Sequence, residues 1–390
     1  MFNFIKFEKN SDKWLKYATY FLMGFGFLMI ISATMGIDAD SIEALIYAIT
    51  KQLIFTILGY TAMVFLQKQF RLKWISLNPL LLSICTLIGL LITRLFPSQN
   101  GAYGWIQLPG GFTLQPSEFA KVVIIVLIAD YFHSLGNNEE KNILLSKRLL
   151  IFVLSFVGVV FLIQNDFGSS FVMLAIATVC FLTGSHKFTN KYQRILLLVM
   201  LSGMVLFVLL MSPLGISLLE HLAENDYRIR RLLIPNNPFK YEYDWGYQIV
   251  QALTAIATGG MFGVGFGGSL LKYGNFPETN TDFILAIIIE ELGFLGGFML
   301  IFMAYVTIFF RLIKYVIKIK DIRAKIILMG VFTYFLTHFI LNVGGVTSLI
   351  PLTGVPLLLI SSGGSSAMSC LISLGLAQSM IIKYKKGEIQ

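Results

Sequence analysis

The sequence is poor in charged residues, cysteine and histidine. Only 13% of its 390 residues are Asp, Glu, Lys or Arg, and it contains three cysteines and four histidines. Cys85, Cys180 and Cys370 each stand alone in an apolar run, without the spacing of a disulfide framework or a metal site. His338, also alone in an apolar run, is typical of a hydrogen-bonded core residue. The sequence therefore predicts neither a disulfide-stabilised domain nor a Cys/His metal centre.

Apolar side chains are what the sequence has in excess. Hydrophobic residues make up 56% of the chain, more than a soluble core of this size needs, and they form long uncharged runs. The formal net charge is +9, yet the Lys and Arg residues occur in short clusters between these runs, as in cytoplasmic loops. We therefore expect an all-α polytopic protein of the cell membrane and no binding of nucleic acid.

The apolar runs predict ten transmembrane helices within one domain covering residues 1–390. The first run is longer than the apolar part of a signal peptide, so we expect it to be retained. A turn around Pro351 and Pro356 separates the last two helices, because residues 326–382 contain no Asp, Glu, Lys or Arg. The expected helices lie at about 17–37, 45–66, 74–95, 116–133, 149–163, 168–185, 195–213, 283–310, 326–344 and 355–382.

Lys and Arg are distributed unequally between the two predicted sides. With the N-terminus inside, the short outer loops at 38–44, 96–115, 164–167 and 345–354 contain none, whereas each inner segment contains several. The positive-inside rule therefore predicts cytoplasmic termini and a long extracytoplasmic loop, residues 214–281, between helices 7 and 8. The polar, Gly-rich and Pro-rich segments then collect outside. Because ATP is not available there, a reaction on that face needs a substrate that carries its own leaving group.

A polar loop ending at Asp282 leads directly into an apolar helix-length run. This order predicts a carboxylate at the mouth of a membrane segment, where it can contact both water and a lipid-linked substrate. Glu290 and Glu291 follow about 12 Å deeper along the helix, where a carboxylate is costly unless it faces protein or water. The residues alone leave a second interpretation open, in which Asp282 caps the helix and the glutamates form a packed polar patch.

Three further patterns have chemical meaning. The stretch 263–268 matches a dinucleotide fingerprint by letter but lacks the strand and helix of that unit, so we interpret it as a flexible or close-packing loop. The basic cluster of Arg228, Arg230 and Arg231 could contact lipid headgroups or bind a diphosphate. Glu118 and Lys121 are three residues apart near the start of the fourth helix, where each alone would be costly, so they predict an ion pair.

Several motifs together resemble the SEDS family of bacterial membrane proteins, the group of FtsW, RodA and SpoVE, along nearly the whole chain. They are WIQL at 105–108, QPSEFAK at 115–121, QNDFG at 164–168, GYQ at 246–248, GGMFGVG at 259–265, TDFI at 281–284, EELG at 290–293, PLTG at 351–354 and SSGGSS at 361–366.

The resemblance implies a ten-helix peptidoglycan glycosyltransferase that polymerises lipid II beside a single-pass class B penicillin-binding protein. It implies that Asp282 is the catalytic aspartate and that Glu118 with Lys121 is an intramembrane ion pair shaping the cavity. The donor would be a glycan on undecaprenyl diphosphate, and a divalent cation, Mg²⁺ or Mn²⁺, could help the diphosphate depart. The further candidate contacts with substrate are Arg228, Arg231, Lys272, Glu278, Thr281, Asp166, Ser365 and Ser366.

The chain departs from the family pattern at several positions. Asn165 replaces a usual proline, Tyr103 and Gly104 stand where basic residues often precede the tryptophan, and Leu358 and Ser362 replace a proline and a tyrosine.

We therefore expect a role in cell division or in cell-shape maintenance, beside other divisome or elongasome membrane proteins. The stretches at 342–347 and 349–354 resemble FtsW more than RodA, which favours division, at the septum. Two other functions remain open from the residues alone. In a lipid II flippase or transporter, the intramembrane charges would line a path. In a division scaffold, Asp282 would be dispensable.

Overall fold

The computed structural model describes residues 7–37, 42–71, 78–99, 101–223, 232–244, 246–273 and 278–390. The predicted diphosphate contacts Arg228, Arg230 and Arg231 lie outside the described residues.

Helices make up most of the described chain. They are α1 (Lys13–Ile37), α2 (Ile42–Gln69), α3 (Pro79–Ile92), α4 (Pro116–Ser134), α5 (Glu139–Gly158), α6 (Phe167–Thr183), α7 (Asn190–Leu210), α8 (Pro213–Ala223), α9 (Tyr247–Gly259), α10 (Ile284–Gly293), α11 (Met299–Lys318), α12 (Ile322–Val346) and α13 (Gly364–Lys385). Short 3₁₀ turns follow α3 and occur in the connecting segments, and π turns continue α5 over Val159–Ile163 and join α10 to α11 over Phe294–Phe298. A small antiparallel hairpin of β1 (Ile106–Gln107) and β2 (Thr113–Leu114) precedes α4.

The predicted class, an all-α polytopic membrane protein, is confirmed. Within the described ranges, seven helices are long and apolar enough to cross a membrane, and two shorter apolar helices cover Pro79–Leu95 and Phe167–Thr183. The seven spans are Lys13–Met35, Leu45–Gln69, Glu139–Ile163, Asn190–Leu210, Ile284–Lys318, Ile322–Val346 and Gly364–Lys385.

The bundle has a protein-enclosed centre and a lipid-facing periphery. Most of α13 is buried, whereas no residue of α7, which is described throughout, is buried. Lipid does not drive apolar helices together, so close packing needs small residues at the contact. A Cβ at Gly59 of α2 would lie 3.0 Å from the Cα of Met368, and one at Gly375 of α13 would lie 2.9 Å from the Cα of Met63. Glycines on both helices thus let α2 and α13 approach closely.

The last helix begins later than predicted. The sequence predicts a helix over 355–382, but α13 begins at Gly364 and residues 351–363 form an irregular segment. Pro356 has no N–H for a helix, and Leu359 has a φ of 64°, outside the helical region. The carbonyl of Leu358 instead accepts a 2.6 Å hydrogen bond from the buried hydroxyl of Tyr305. A side chain distant in the sequence thus bonds to a main-chain carbonyl in a segment that hydropathy alone predicts to be helical.

The predicted helix over 283–310 is interrupted at Gly293. This residue has φ 75° and ψ 177°, and the chain then continues as helix to Lys318. The loop after α9 fills the interruption, since Val264 N and Gly265 N donate to the carbonyls of Glu290 and Glu291, each at 2.9 Å. The glycine-rich stretch 263–268 is thus a close-packing loop, which was one of its two predicted interpretations.

Candidate active site around Asp282

Asp282 is half-buried in a turn immediately before α10. The helix begins at Ile284, with Phe283 at the cap position, so Asp282 lies one residue before the cap. Its main-chain carbonyl accepts a 2.9 Å hydrogen bond from Asn342 Nδ2 at the end of α12. The backbone of the turn is thereby fixed without using the carboxylate.

The carboxylate of Asp282 lies against Gly354. A Cβ on this glycine would be 3.5 Å from Asp282 Oδ2, and Gly354 has a φ of 68°, which disfavours other residues. Asn342 Nδ2 also donates to the carbonyl of Val355 at 3.0 Å. One amide therefore holds the Asp282 turn and the 353–356 segment together.

Hydrogen bonds within and across the turn set its shape. Glu278 has a φ of 57°, and its Oε2 accepts a 2.6 Å hydrogen bond from Thr281 Oγ1. Across the turn, Ser361 Oγ donates to the carbonyl of Thr281 at 2.7 Å, and Ser362 N donates to that of Asn280 at 2.7 Å. The predicted substrate contacts Glu278 and Thr281 thus also build the turn that presents Asp282.

Within the described chain, buried polar atoms in and beside the turn lack hydrogen-bond partners, and Thr279 Oγ1 lies within the turn itself. Among the described residues, Asn342 Oδ1 and Thr353 Oγ1 have no hydrogen-bond partner. An unsatisfied buried polar atom costs about 1–3 kcal/mol, so a substrate hydroxyl that bonded to it would recover that free energy. Neither Asn342 nor Thr353 was predicted from the sequence to be a site residue.

Glu118 and Lys121 form a buried ion pair on α4. Lys121 Nζ lies 2.7 Å from Glu118 Oε1, and the two side chains are 0% and 1% exposed. The hydroxyl of Tyr334 donates to Glu118 Oε2 at 2.9 Å, and Lys121 Nζ lies 3.2 Å from His338 Nε2. The pair is therefore held between α4 and α12.

His338 connects this ion pair to the Asp282 turn. The ammonium of Lys121 can only donate, so His338 Nε2 accepts, and the proton of the neutral ring lies on Nδ1. Nδ1 then donates to the carbonyl of Pro356 at 3.0 Å. Because the neighbouring Val355 carbonyl is held by Asn342, a polar chain runs from Lys121 to Asp282.

Asp166, Ser365 and Gln115 meet at the start of α4. Asp166 Oδ1 caps α6 by accepting from Ser169 N at 2.9 Å, and its Oδ2 accepts from Gln115 Nε2 at 2.9 Å. Gln115 N donates to Ser365 Oγ at 2.8 Å, while Ser366 Oγ donates to the carbonyl of Gly363 at 3.1 Å. These predicted substrate contacts therefore all have structural partners.

Lys272 has a buried environment that does not fit a contact with a diphosphate. Its Nζ lies 2.6 Å from Glu291 Oε1 and 3.0 Å from Ser32 Oγ, and the Lys272 and Glu291 side chains are both 0% exposed. Glu290 accepts a hydrogen bond from Ser269 Oγ. The two glutamates are thus satisfied by protein, and Lys272 neutralises one of them instead of facing a substrate.

A structural role for Lys272 makes a testable prediction. Lys272→Met should lower folded yield strongly, because removing one partner of a buried pair costs about 3–5 kcal/mol. The double variant Lys272→Met/Glu291→Leu should recover part of that yield. The measurement is the amount of monodisperse protein after purification. A well-folded Lys272→Met protein with a raised KM for substrate would instead restore Lys272 as a substrate contact.

Within the part of the chain that the structure describes, no three His, Cys, Asp or Glu side chains cluster as a protein-only metal site would require.

Comparisons with known proteins point to one family along nearly the whole chain. The family model of the FtsW, RodA and SpoVE cell cycle proteins matches residues 13–386. Stage V sporulation protein E of Bacillus subtilis is 32% identical over 374 residues, covering 95% of this chain and 96% of that protein. The probable peptidoglycan glycosyltransferase FtsW of the same organism is 32% identical over 395 residues, covering 98% and 94%.

Solved structures share the fold at lower identity. A chain of a peptidoglycan synthase complex that coordinates polymerization and crosslinking superposes with a TM-score of 0.72 at 22% identity, covering 96% of this chain and 98% of that one. The rod shape determining protein RodA of Thermus thermophilus gives a TM-score of 0.64 at 20% identity, covering 96% and 97%.

Proposed function

The chain belongs to the family of FtsW, RodA and SpoVE, and on this premise we propose that it is a peptidoglycan glycosyltransferase that polymerises lipid II, with Asp282 as general base. The observation that carries the assignment to Asp282 is its position. Its carboxylate lies over Gly354, half-buried, in a turn that Asn342 fixes through the main chain. Buried but unsatisfied polar atoms on Asn342 and Thr353 adjoin it.

The chemistry requires one carboxylate. The donor is a glycan whose reducing-end sugar is linked to undecaprenyl diphosphate, and the acceptor is a lipid II molecule with a free 4-hydroxyl. Asp282 accepts the hydroxyl proton as the oxygen attacks the anomeric carbon and the bond to the diphosphate breaks. A single displacement of this kind converts an α-linked donor into a β-linked product.

The departing diphosphate needs positive charge. Lys272 is neutralised by Glu291, which leaves the basic cluster Arg228, Arg230 and Arg231 as the candidate, because guanidinium groups bind phosphate oxygens bidentately. A divalent cation held by the diphosphate would supply the same stabilisation.

We assign the chain ten membrane crossings with both termini in the cytoplasm. Helices α1 to α7, the α10–α11 unit, α12 and α13 supply the ten crossings in order. The distribution of Lys and Arg supports this orientation, and it puts Asp282 on the outer face.

Labelling of single cysteines tests the orientation. In a Cys85→Ala background, cysteines at the exposed positions Ser217 and Tyr243 should react with a membrane-impermeant maleimide in intact cells. Cysteines at Ser185 and Lys318, which are also exposed in the structure, should react only after the membrane is permeabilised. Labelling of the Lys318 position in intact cells would contradict this orientation, and with it the location of Asp282 on the outer face.

We propose a class B penicillin-binding protein as partner and septal division as the setting. The likeness to a chain of a peptidoglycan synthase complex supports the first, and the relatives named FtsW support the second. The direct test of the function is purified protein mixed with lipid II, with and without the partner, and assayed for glycan polymer on gels. No polymer under either condition would contradict the proposal.

A further inference from the structure

The face opposite Asp282 carries an open cleft of about 910 Å³. Helices α4, α12 and α13 have one end at the active site and the other at this cleft, about 30 Å away at 1.5 Å per residue. The cleft is thus separate from the site of polymerisation. We call it the inner cleft, and its lining residues are Arg71, His133, Lys320, Asp321, Arg323, Lys383, Glu388, Ile389 and Gln390.

Positive charge predominates in the inner cleft. The side chains of Arg71, Lys320, Arg323 and Lys383 line it, together with two side-chain carboxylates, Asp321 and Glu388. Arg323 lies 3.9 Å from Asp321, in a loose and partly exposed pair. The ammonium of Lys383 is attracted by Glu388 and repelled by both Arg71 and Arg323. An anion between these groups would relieve the repulsion.

A buried amide adjoins the same cations. A smaller cavity of about 160 Å³ shares Arg71, Lys383 and Glu388 with the inner cleft and is also lined by Gln67. Gln67 is 2% exposed, and among the described residues neither Nε2 nor Oε1 of its amide has a hydrogen-bond partner. Buried amides are rarely left unsatisfied, because each unpaired group retains its desolvation cost. The amide can therefore bond to a polar group of a ligand that enters this cavity.

We propose that the inner cleft binds a phosphate-bearing anion between Arg71, Arg323 and Lys383, with the amide of Gln67 bonding to a polar group of the same ligand. Guanidinium groups match phosphate oxygens in a bidentate geometry, and Lys adds a point charge. The cleft volume falls within the range of about 300–1,000 Å³ that is common for small-molecule sites. The phosphate can come from an anionic lipid headgroup or from a soluble phosphate compound.

The test compares purified full-length protein with charge variants in two arms. In the first arm, protein is released from nanodiscs of mixed phosphatidylglycerol and phosphatidylcholine, and retained phosphatidylglycerol is counted by native mass spectrometry. In the second, thermal unfolding is followed in phosphatidylcholine nanodiscs with added inorganic phosphate or pyrophosphate. The double variant Arg71→Gln/Lys383→Gln should bind phosphatidylglycerol or phosphate about 10-fold more weakly, as expected for loss of charge-assisted hydrogen bonds.

Two controls separate binding from misfolding and from net charge. Lys187→Gln/Lys318→Gln removes the same charge from exposed positions outside the cleft and should behave like the parent protein. Glu388→Gln removes an anion from the cleft wall and should strengthen binding, a change that misfolding does not produce. An effect in the lipid arm alone identifies a headgroup as the ligand, and an effect in the phosphate arm alone identifies a soluble compound. Equal behaviour of the parent and the Arg71/Lys383 double variant in both arms would overturn the proposal.

Discussion

Asp282→Asn is expected to abolish polymerisation of lipid II while leaving the protein folded in the membrane. Asparagine keeps the size of the side chain but cannot take a proton, and general bases typically contribute about 10²- to 10⁴-fold to a rate. Folding should be retained because the hydrogen bond from Asn342 goes to the main-chain carbonyl of residue 282, which the substitution does not change. The measurement is glycan polymer formed from lipid II by the purified variant with its partner.

Glu278→Gln is the matched control for this experiment. It also removes one carboxylate from the same turn, yet glutamine keeps an oxygen that can accept from Thr281 Oγ1. The variant should therefore be impaired far less than Asp282→Asn. Near-normal polymerisation by Asp282→Asn would contradict the role of Asp282 as general base.

In the proposed active site, neutral groups of the protein position the turn that carries Asp282. Asp282 lies 60 residues before Asn342 in the sequence, and the Asn342 amide holds the Asp282 turn beside the segment that contains Gly354. The helix dipole of α10 begins just after Asp282 and stabilises its negative charge. Neutral groups therefore set the position of the Asp282 carboxylate. Burying neutral groups within a membrane costs less free energy than burying charged ones.

Local sequence spacing was sufficient to predict some contacts in and around the site but not others. The three-residue spacing of Glu118 and Lys121 on one helix predicts their contact, which the structure contains. The pairing of Lys272 with Glu291 depends on how a loop folds onto α10, so no local pattern indicates it.

The start of the last helix was missed for a related reason. Hydropathy cannot distinguish an apolar helix from an apolar segment whose carbonyls bond to distant side chains, as Leu358 does with Tyr305. A lone asparagine within a long uncharged run, such as Asn342, is a sequence signal that could have indicated a role at the site.

Neutralising either member of the Glu118–Lys121 pair is expected to reduce folded yield and activity together. Lys121→Met leaves the Glu118 carboxylate buried without its cation, and Glu118→Leu leaves the ammonium buried without its anion. Breaking a buried pair in this way costs about 3–5 kcal/mol, and both side chains here are at most 1% exposed. Monodisperse yield and the midpoint of thermal unfolding measure the effect.

The double variant Glu118→Leu/Lys121→Met should recover part of the yield, since no unpaired charge remains buried. Its polymerisation should stay below that of the parent, because His338 loses the donor to Nε2 and holds the Pro356 carbonyl less firmly beside Asp282. The matched control is Lys240→Met, which breaks an ion pair of the same 2.7 Å length whose side chains are 52% and 43% exposed, and which should have little effect. If both single variants of the buried pair behave like this control, the pair does not support the site, and the polar chain from Lys121 to Asp282 has no functional role.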